Sequence, residues 1–292
     1  MFLNILEQSL IFLPLALGIY VSYVVLRIPD LTTDGSFVLG AAVFGLCIYA
    51  GLNPLIALFA AGVSGILAGM AVGFLQAQFF LNPLISGILL VFILNTATLK
   101  LLGKPNLSLF DHPSLFSTMG IFNDSDISRR VLLSFIAIIC LVGIGFLLIS
   151  RLGLMLYAFG NNATLLSLHG KNAKAYRMFG LALSNGLVGF CGALTAQSSG
   201  YVDIGMGTGI ILIALGTVII GQQLYLCFFK RPPFAKFIQL FFCFIGVIAY
   251  FFVVNFFISL GLDPIYLRLM IGVCLVGFLV MTREKKGMEV LA

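Results

Sequence analysis

Apolar residues run along this chain in blocks close to the length of a bilayer-crossing helix, separated by short polar breaks. Measured against the roughly 20 residues that such a helix needs, about nine blocks stand out: 5–26, 36–50, 55–80, 84–102, 131–150, 176–198, 206–226, 235–258 and 265–282. The second is short. At about 1.5 Å rise per residue it reaches roughly 22 Å, less than the roughly 30 Å of a hydrocarbon layer. It also follows Pro29, Asp34 and Gly35, so a broken or re-entrant element is predicted there. The pattern predicts an all-α polytopic membrane protein of about nine transmembrane helices, with residues 1–292 as a single transmembrane domain.

One segment departs from this pattern. Residues 151–177, RLGLMLYAFGNNATLLSLHGKNAKAYR, hold four of the sixteen Lys and Arg residues, with apolar Leu154, Tyr157, Ala158, Leu165, Leu166 and Leu168 between them. The mixture is too polar to span a membrane and too apolar for a solvated linker, which predicts a docking surface. A turn at Gly160-Asn161 and a second break at Gly170 delimit a helix with an apolar stripe through Leu165, Leu166 and Leu168.

Composition agrees: 61% of residues are hydrophobic and 9% charged, too few polar groups to cover a soluble domain. The first block lacks a basic leader and a small-residue cleavage site, so it reads as a retained span. The net charge of +6 arises from basic residues at span ends, with no basic stripe interleaved with aromatics, so nucleic acid is not a predicted partner. The positive-inside rule accounts for the excess. With the C-terminus inside, Arg27, Arg151, Lys171, Lys174, Arg177, Lys230, Arg231, Lys236, Arg283, Lys285 and Lys286 face the cytoplasm. Lys100, Lys104, Arg129, Arg130 and Arg268 lie outside, and nine spans put the N-terminus outside as well. Cysteine labelling at Ser125 and Asn172 is expected to report outside and inside respectively; the reverse at either position would overturn this topology.

No reaction chemistry is predicted for the chain itself. It has no phosphate-binding loop of the Walker type, no H-E-x-x-H and no G-x-S-x-G, and His112 and His169 fall in loops on opposite sides. The six cysteines all sit in apolar runs without a C-x-x-C pair, which argues against a disulfide framework or a metal site. His169 reads as a solvated or interfacial side chain rather than a proton relay.

Two stretches resemble each other. After the first block the chain reads PDLTTDGSFVLGA (29–41), and after the sixth VDIGMGTGIILIA (202–214): an acidic residue and a glycine-rich break followed by a small-residue apolar run. Spans 1–4 and 6–9 are therefore candidate inverted halves hinged on span 5, as in many transporters. Asn82, Asn95, Thr96, Thr98, Ser184, Asn185, Gln197 and Asn255 place polar groups at membrane depth, where an unsatisfied group costs several kcal/mol. They should face other helices or a pathway. Asp34 can cap the short second helix or line an inner gate; Asp30, after Pro29, lacks so simple a structural role and can face a gate or a substrate ammonium group. Asp203 has the same two readings at the outer mouth. Gly65, Gly69 and Gly73 form a tandem G-x-x-x-G ridge, for which intramolecular helix packing outweighs a dimer seam.

The stretch from Tyr157 to Gly221, with Gly160-Asn161-Asn162, the run Gly180 to Leu194 and the break Met206 to Gly209, resembles the permeases of ABC importers for branched-chain amino acids, ribose and nucleosides. The closest likeness is to their tryptophan/tyrosine-type group. IPDLTTDGSFVLGAAV (28–43) and LLGKPNLSLF (101–110) extend the resemblance over nearly the whole chain. The departures are His169-Gly170-Lys171-Asn172, where a small or aliphatic residue usually precedes the glycine, and the unusually aromatic loop 222–234. The resemblance implies an inner-membrane permease working as a homodimer, with a separate ABC ATPase on the cytoplasmic face and an extracytoplasmic substrate-binding protein. ATP and Mg would belong to that ATPase, and this chain would carry no cofactor or metal. It also implies that 151–177 is the coupling helix, with Gly160, Asn161, Leu165, Leu166, His169 and Gly170 meeting the ATPase. The outer loop 103–130, with Asp111, Asp124, Asp126, Arg129 and Arg130, would meet the binding protein. Asp30, Asp34, Asn95, Thr96, Asn185 and Asp203 are then the pathway or gate candidates. An ion-coupled secondary transporter is the competing reading.

Overall fold

The computed structural model describes residues 2–110, 112, 115, 125–228, 235–261 and 272. The expected ninth span at 265–282, Asp111, Asp124, Cys274 and the basic residues Lys230, Arg231, Arg268, Arg283, Lys285 and Lys286 lie outside the described residues, as do the side chains of Asp126, Leu165 and Lys236.

Among the described residues, seven helices are long and apolar enough to cross a membrane, and an eighth, Thr33–Tyr49, is the short one expected. In chain order these are α1 (Phe2–Ile19, continued by a π-helical turn, Tyr20–Val25), α2 (Thr33–Tyr49), α3 (Pro54–Gln78), α4 (Pro83–Leu102), α5 (Ser125–Ile149), α8 (Ala173–Ser199), α9 (Ile210–Phe228) and α10 (Ala235–Ser259). Two short helices, α6 (Arg151–Asn161) and α7 (Ala163–Leu168), fill the segment before α8. Strands β1 (Asn106–Ser108) and β2 (Tyr201–Asp203) pair antiparallel, with Leu107 opposite Val202.

Asparagine-proline starts set two of the boundaries. Asn53 and Asn82 accept from the N–H groups of Leu55 and Leu84 at 2.9 and 3.0 Å, and Pro54 and Pro83 fill the first helical turn, where no N–H is needed. Asn82, expected at membrane depth, is therefore a cap. Asn172 likewise caps α8 by accepting from Lys174 and Ala175, and Gly200 ends that helix in the left-handed region at φ +75°.

The chain forms two compact units. In the unit of residues 10–215, α8 lies at the centre, buried against α2 and α3. A Cβ on Gly65 would run into the Asn185 carbonyl oxygen, one on Gly69 into that of Leu181, and one on Gly73 would come within 2.8 Å of the Met178 Cα. The ridge thus seats α3 on the backbone of α8. Ser184 Oγ donates to the Gly18 carbonyl at 2.8 Å, and Cys191 Sγ to that of Ile11 at 3.2 Å, which ties α1 to α8 as well. In the unit of residues 1–9 and 216–292, Gly221 and Gly246 bring α9 and α10 to backbone contact, and Asn255 Nδ2 donates to Gln8 Oε1 at 3.1 Å.

The outer surface of the helices is apolar. Phe59, Phe92, Phe135 and Phe146, on α3, α4 and α5, are 61–69% exposed, an arrangement that suits hydrocarbon and not water. The molecule is an all-α, multi-pass membrane protein.

Candidate functional site

Asp30 stands in the break between α1 and α2 and is only 2% exposed. One of its carboxylate oxygens accepts from the Thr32 N–H at 2.9 Å, the other from Asn185 Nδ2 at 2.6 Å. Asn185 also donates to the Leu181 carbonyl at 3.0 Å, and its Oδ1 accepts from Ser36 Oγ at 2.6 Å. This network fixes the orientation of the amide: only the NH2 group can serve a carboxylate, leaving the oxygen for the Ser36 hydroxyl. Burial pushes the Asp30 carboxyl up from its ordinary range, opposed by the bonds from Thr32 and Asn185. The junction joins the first break, α2 and α8.

Asp34 caps a different helix from the one the capping reading named. Thr32 is the N-cap of α2 and makes no side-chain cap bond, while Asp34 sits in the first turn and reaches across the fold. Its Oδ2 accepts from the Gly209 N–H at 3.2 Å and its Oδ1 from that of Ile211 at 2.9 Å. It therefore caps the start of α9, where the helix dipole favours a carboxylate. A Cβ on Gly207 would strike the Asp34 carbonyl oxygen and come against Val38, so the second break lies directly on α2. The two look-alike stretches of the sequence meet each other.

The remaining pathway candidates are dispersed. Asp203 caps a 3-10 turn (Ile204–Gly207) by accepting from the Gly205 N–H at 2.6 Å, and Asn106 Nδ2 on β1 approaches its other oxygen at 3.5 Å. Thr96 is exposed on α4 and donates to the Phe92 carbonyl of its own helix; Asn95 beside it is half-buried and takes no part in the Asp30 network. A cavity of about 470 Å3 between α3, α5 and α8 is lined by apolar side chains, including Leu58, Ile66, Phe135 and Phe190, and by none of the six polar candidates.

The segment expected to dock bends at a different place. The α6 helix runs through Gly160-Asn161, and the break falls at Asn162, whose side chain accepts from the Thr164 N–H at 3.0 Å to start α7. Asparagine ends one helix and caps the next more readily than a glycine inside a helix interrupts it. Within α7, Leu166 is buried and Leu168 is 76% exposed, so the expected stripe is split between an anchoring and an outward residue. His169 is exposed, and Gly170 closes the turn at φ +71°. Gly160 lies against α1: a Cβ there would run into the Val25 carbonyl oxygen. Tyr157 faces the same turn, its hydroxyl 3.2 Å from that of Tyr20, and burial pushes its phenol up, which keeps it a neutral hydroxyl. Ser36 and Tyr20 had gone unnoticed in the sequence. Each is one small polar group inside an apolar run, and only the fold gives it a partner.

A bundle of apolar helices with two interior breaks, joined by a carboxylate at the seam, defines a multi-pass membrane protein. The chain belongs to the family described as branched-chain amino acid transport system / permease component, which matches residues 1–279. It is similar to an uncharacterized protein of Rickettsia prowazekii, 44% identical over 271 residues, covering 92% of this chain and 93% of that one. It is also similar to the tyrosine transport system permease protein of Clostridioides difficile, 32% identical over 277 residues, covering 95% of this chain and 90% of the relative. No solved structure matches. The chain is therefore a transport permease component.

Proposed function

We propose that this permease is the membrane subunit of an ATP-driven importer, passing a small solute such as an amino acid from an external binding protein to the cytoplasm. The kinship with a tyrosine permease makes L-tyrosine the first solute to test. ATP and Mg would act on a separate ATPase subunit, two permease chains would form the pathway, and residues 1–292 would work as one transmembrane domain. The binding protein would dock near the β1–β2 ribbon, where Asn106 and Asp203 stand.

The observation that carries the reading is the α6–α7 segment. On the topology expected from the basic residues it would face the cytoplasm; it is rooted by Gly160 and Leu166, yet it turns Leu154 (51% exposed) and Leu168 outward. An apolar side chain presented on a rooted helix is what a groove in a partner can take. Leu168→Asp tests this with little risk to the fold, whereas substitution of buried Leu166 would disturb the permease itself. Burying the new carboxylate in an apolar groove would cost several kcal/mol, enough to lower ATPase affinity by at least about 100-fold. The expected result is loss of the ATPase from pull-downs at normal permease levels. Full retention of the ATPase and of ATP-driven uptake would leave the ion-coupled reading in front, for which buried Asp30 would be the natural ion site.

A further inference from the structure

The π-helical turn at the end of α1 is held from two sides. On one side α6 sits against it, with Gly160 on the Val25 carbonyl and the Tyr157 hydroxyl 3.2 Å from that of Tyr20, which is wholly buried. On the other side α8 holds it, since Leu26 fills the space where Gly180 has no side chain. The rear of α6 is fixed as well: the Arg177 guanidinium lies over the Phe159 ring at 5.5 Å and donates to the Gln76 carbonyl at 3.2 Å.

Such a turn carries one residue more than an α-helical turn. Here the Leu26 N–H bonds to the Val21 carbonyl five residues back, and the Ile28 N–H takes the Ser22 carbonyl that an α-helix would have given to Leu26. An α-helical register would need the same Ser22 carbonyl for the Leu26 N–H, so the turn has a second register open to it, and single π-turns inside α-helices are frequent at functional sites. Immediately beyond, Arg27 is held at φ +56°, and three residues later comes Asp30 with its bond to Asn185. A change of register in the turn would shift Asp30 against Asn185 and Ser36.

We propose that Tyr157 and Tyr20 are positioning residues of the transport cycle. Their hydroxyl contact, with Gly160 seated on Val25, passes a displacement of α6 to the π-turn and so to the buried Asp30–Asn185–Ser36 junction. This rests on the importer reading, in which the ATPase moves the α6–α7 segment.

The test is hydrogen exchange over residues 20–34 in the complete permease–ATPase complex, nucleotide-free and ATP-bound. In the natural chain, exchange in this stretch is expected to change with nucleotide. Tyr157→Phe should keep the ATPase bound and reduce that change by about fivefold, the weight of one hydrogen bond. Tyr20→Phe should also reduce it, and the double variant should fall short of the sum of the two single effects, because the two hydroxyls share a contact. Gly160→Ala, which lifts α6 off Val25, should also blunt the response. An unchanged response in Tyr157→Phe, additive effects in the double variant, or no nucleotide response in the natural chain would each overturn the relay. Failure of Tyr157→Phe to reach the membrane would overturn it too, by making the hydroxyl pair an element of folding. Absence of any bound ATPase with the natural chain would instead remove the importer reading itself.

Discussion

Replacing Gly65 with valine is expected to prevent folded permease from accumulating in the membrane. The Cβ alone would run into the carbonyl oxygen of Asn185, and the next atoms in the way are the Asn185 carbonyl carbon at 3.0 Å and the Gly186 Cα at 3.1 Å. Backbone cannot rotate aside as a flexible side chain can. Overpacking among side chains costs about 1–3 kcal/mol; here α3 would have to leave α8, at a cost approaching the roughly 5–15 kcal/mol that holds a whole domain. Asn185 is also the residue that holds Asp30, so the collision falls on the buried junction. Gly62, one turn earlier, has nothing nearer than 3.9 Å to where a Cβ would stand, and Gly62→Val should accumulate normally. Membrane levels and thermal aggregation in mild detergent compare the two. Equal behaviour would mean that α3 does not pack on α8 in this way.

The contrast between these glycines shows what a sequence can and cannot disclose. The G-x-x-x-G spacing pointed to a close helix contact because a ridge of missing side chains is a local property. The partner helix is not local, and nothing in residues 62–73 names α8. The same distinction runs through the fold. Eight of the nine expected spans coincide with helices among the described residues, because an apolar run of bilayer length has few other outcomes. The π-turn at Tyr20–Val25 left no trace in the pattern, since one extra residue inside a uniformly apolar run does not alter its periodicity. At the candidate site, Asn185 could be singled out because an amide is costly at membrane depth, and Asp30 because it follows Pro29 with no helix start of its own to cap. That they bond to each other depends on how α8 crosses the first break. The split at Asn162 was misplaced by one or two residues, because glycine was weighed above an asparagine able to cap.

Asp34→Ala is expected to be the most damaging polar substitution in the interior. It would strip both acceptors from the N–H groups of Gly209 and Ile211, which the start of α9 cannot satisfy from within its own helix. Hydrogen bonds to a charged partner contribute about 1.5–3 kcal/mol each, and a carboxylate at a helix N-terminus adds about 1 kcal/mol. Loss of both bonds and of the helix-terminus contribution therefore predicts about 4–7 kcal/mol of destabilisation and a large fall in thermal stability. Asp34→Asn keeps one acceptor but turns an NH2 group toward an N–H donor, so it should recover only part of the loss. Asp34→Glu keeps the charge on a longer arm within a seam narrowed by Gly207, and should restore stability less well than its chemistry suggests. The decisive comparison is transport against stability across the three. If Asp34 only braces the fold, uptake will follow folded protein in every variant. If the meeting of the two breaks also moves during transport, Asp34→Asn will insert and remain folded yet carry solute at a small fraction of the natural rate. A fully active, fully stable Asp34→Ala protein would show that the seam between α2 and α9 is not held by this carboxylate.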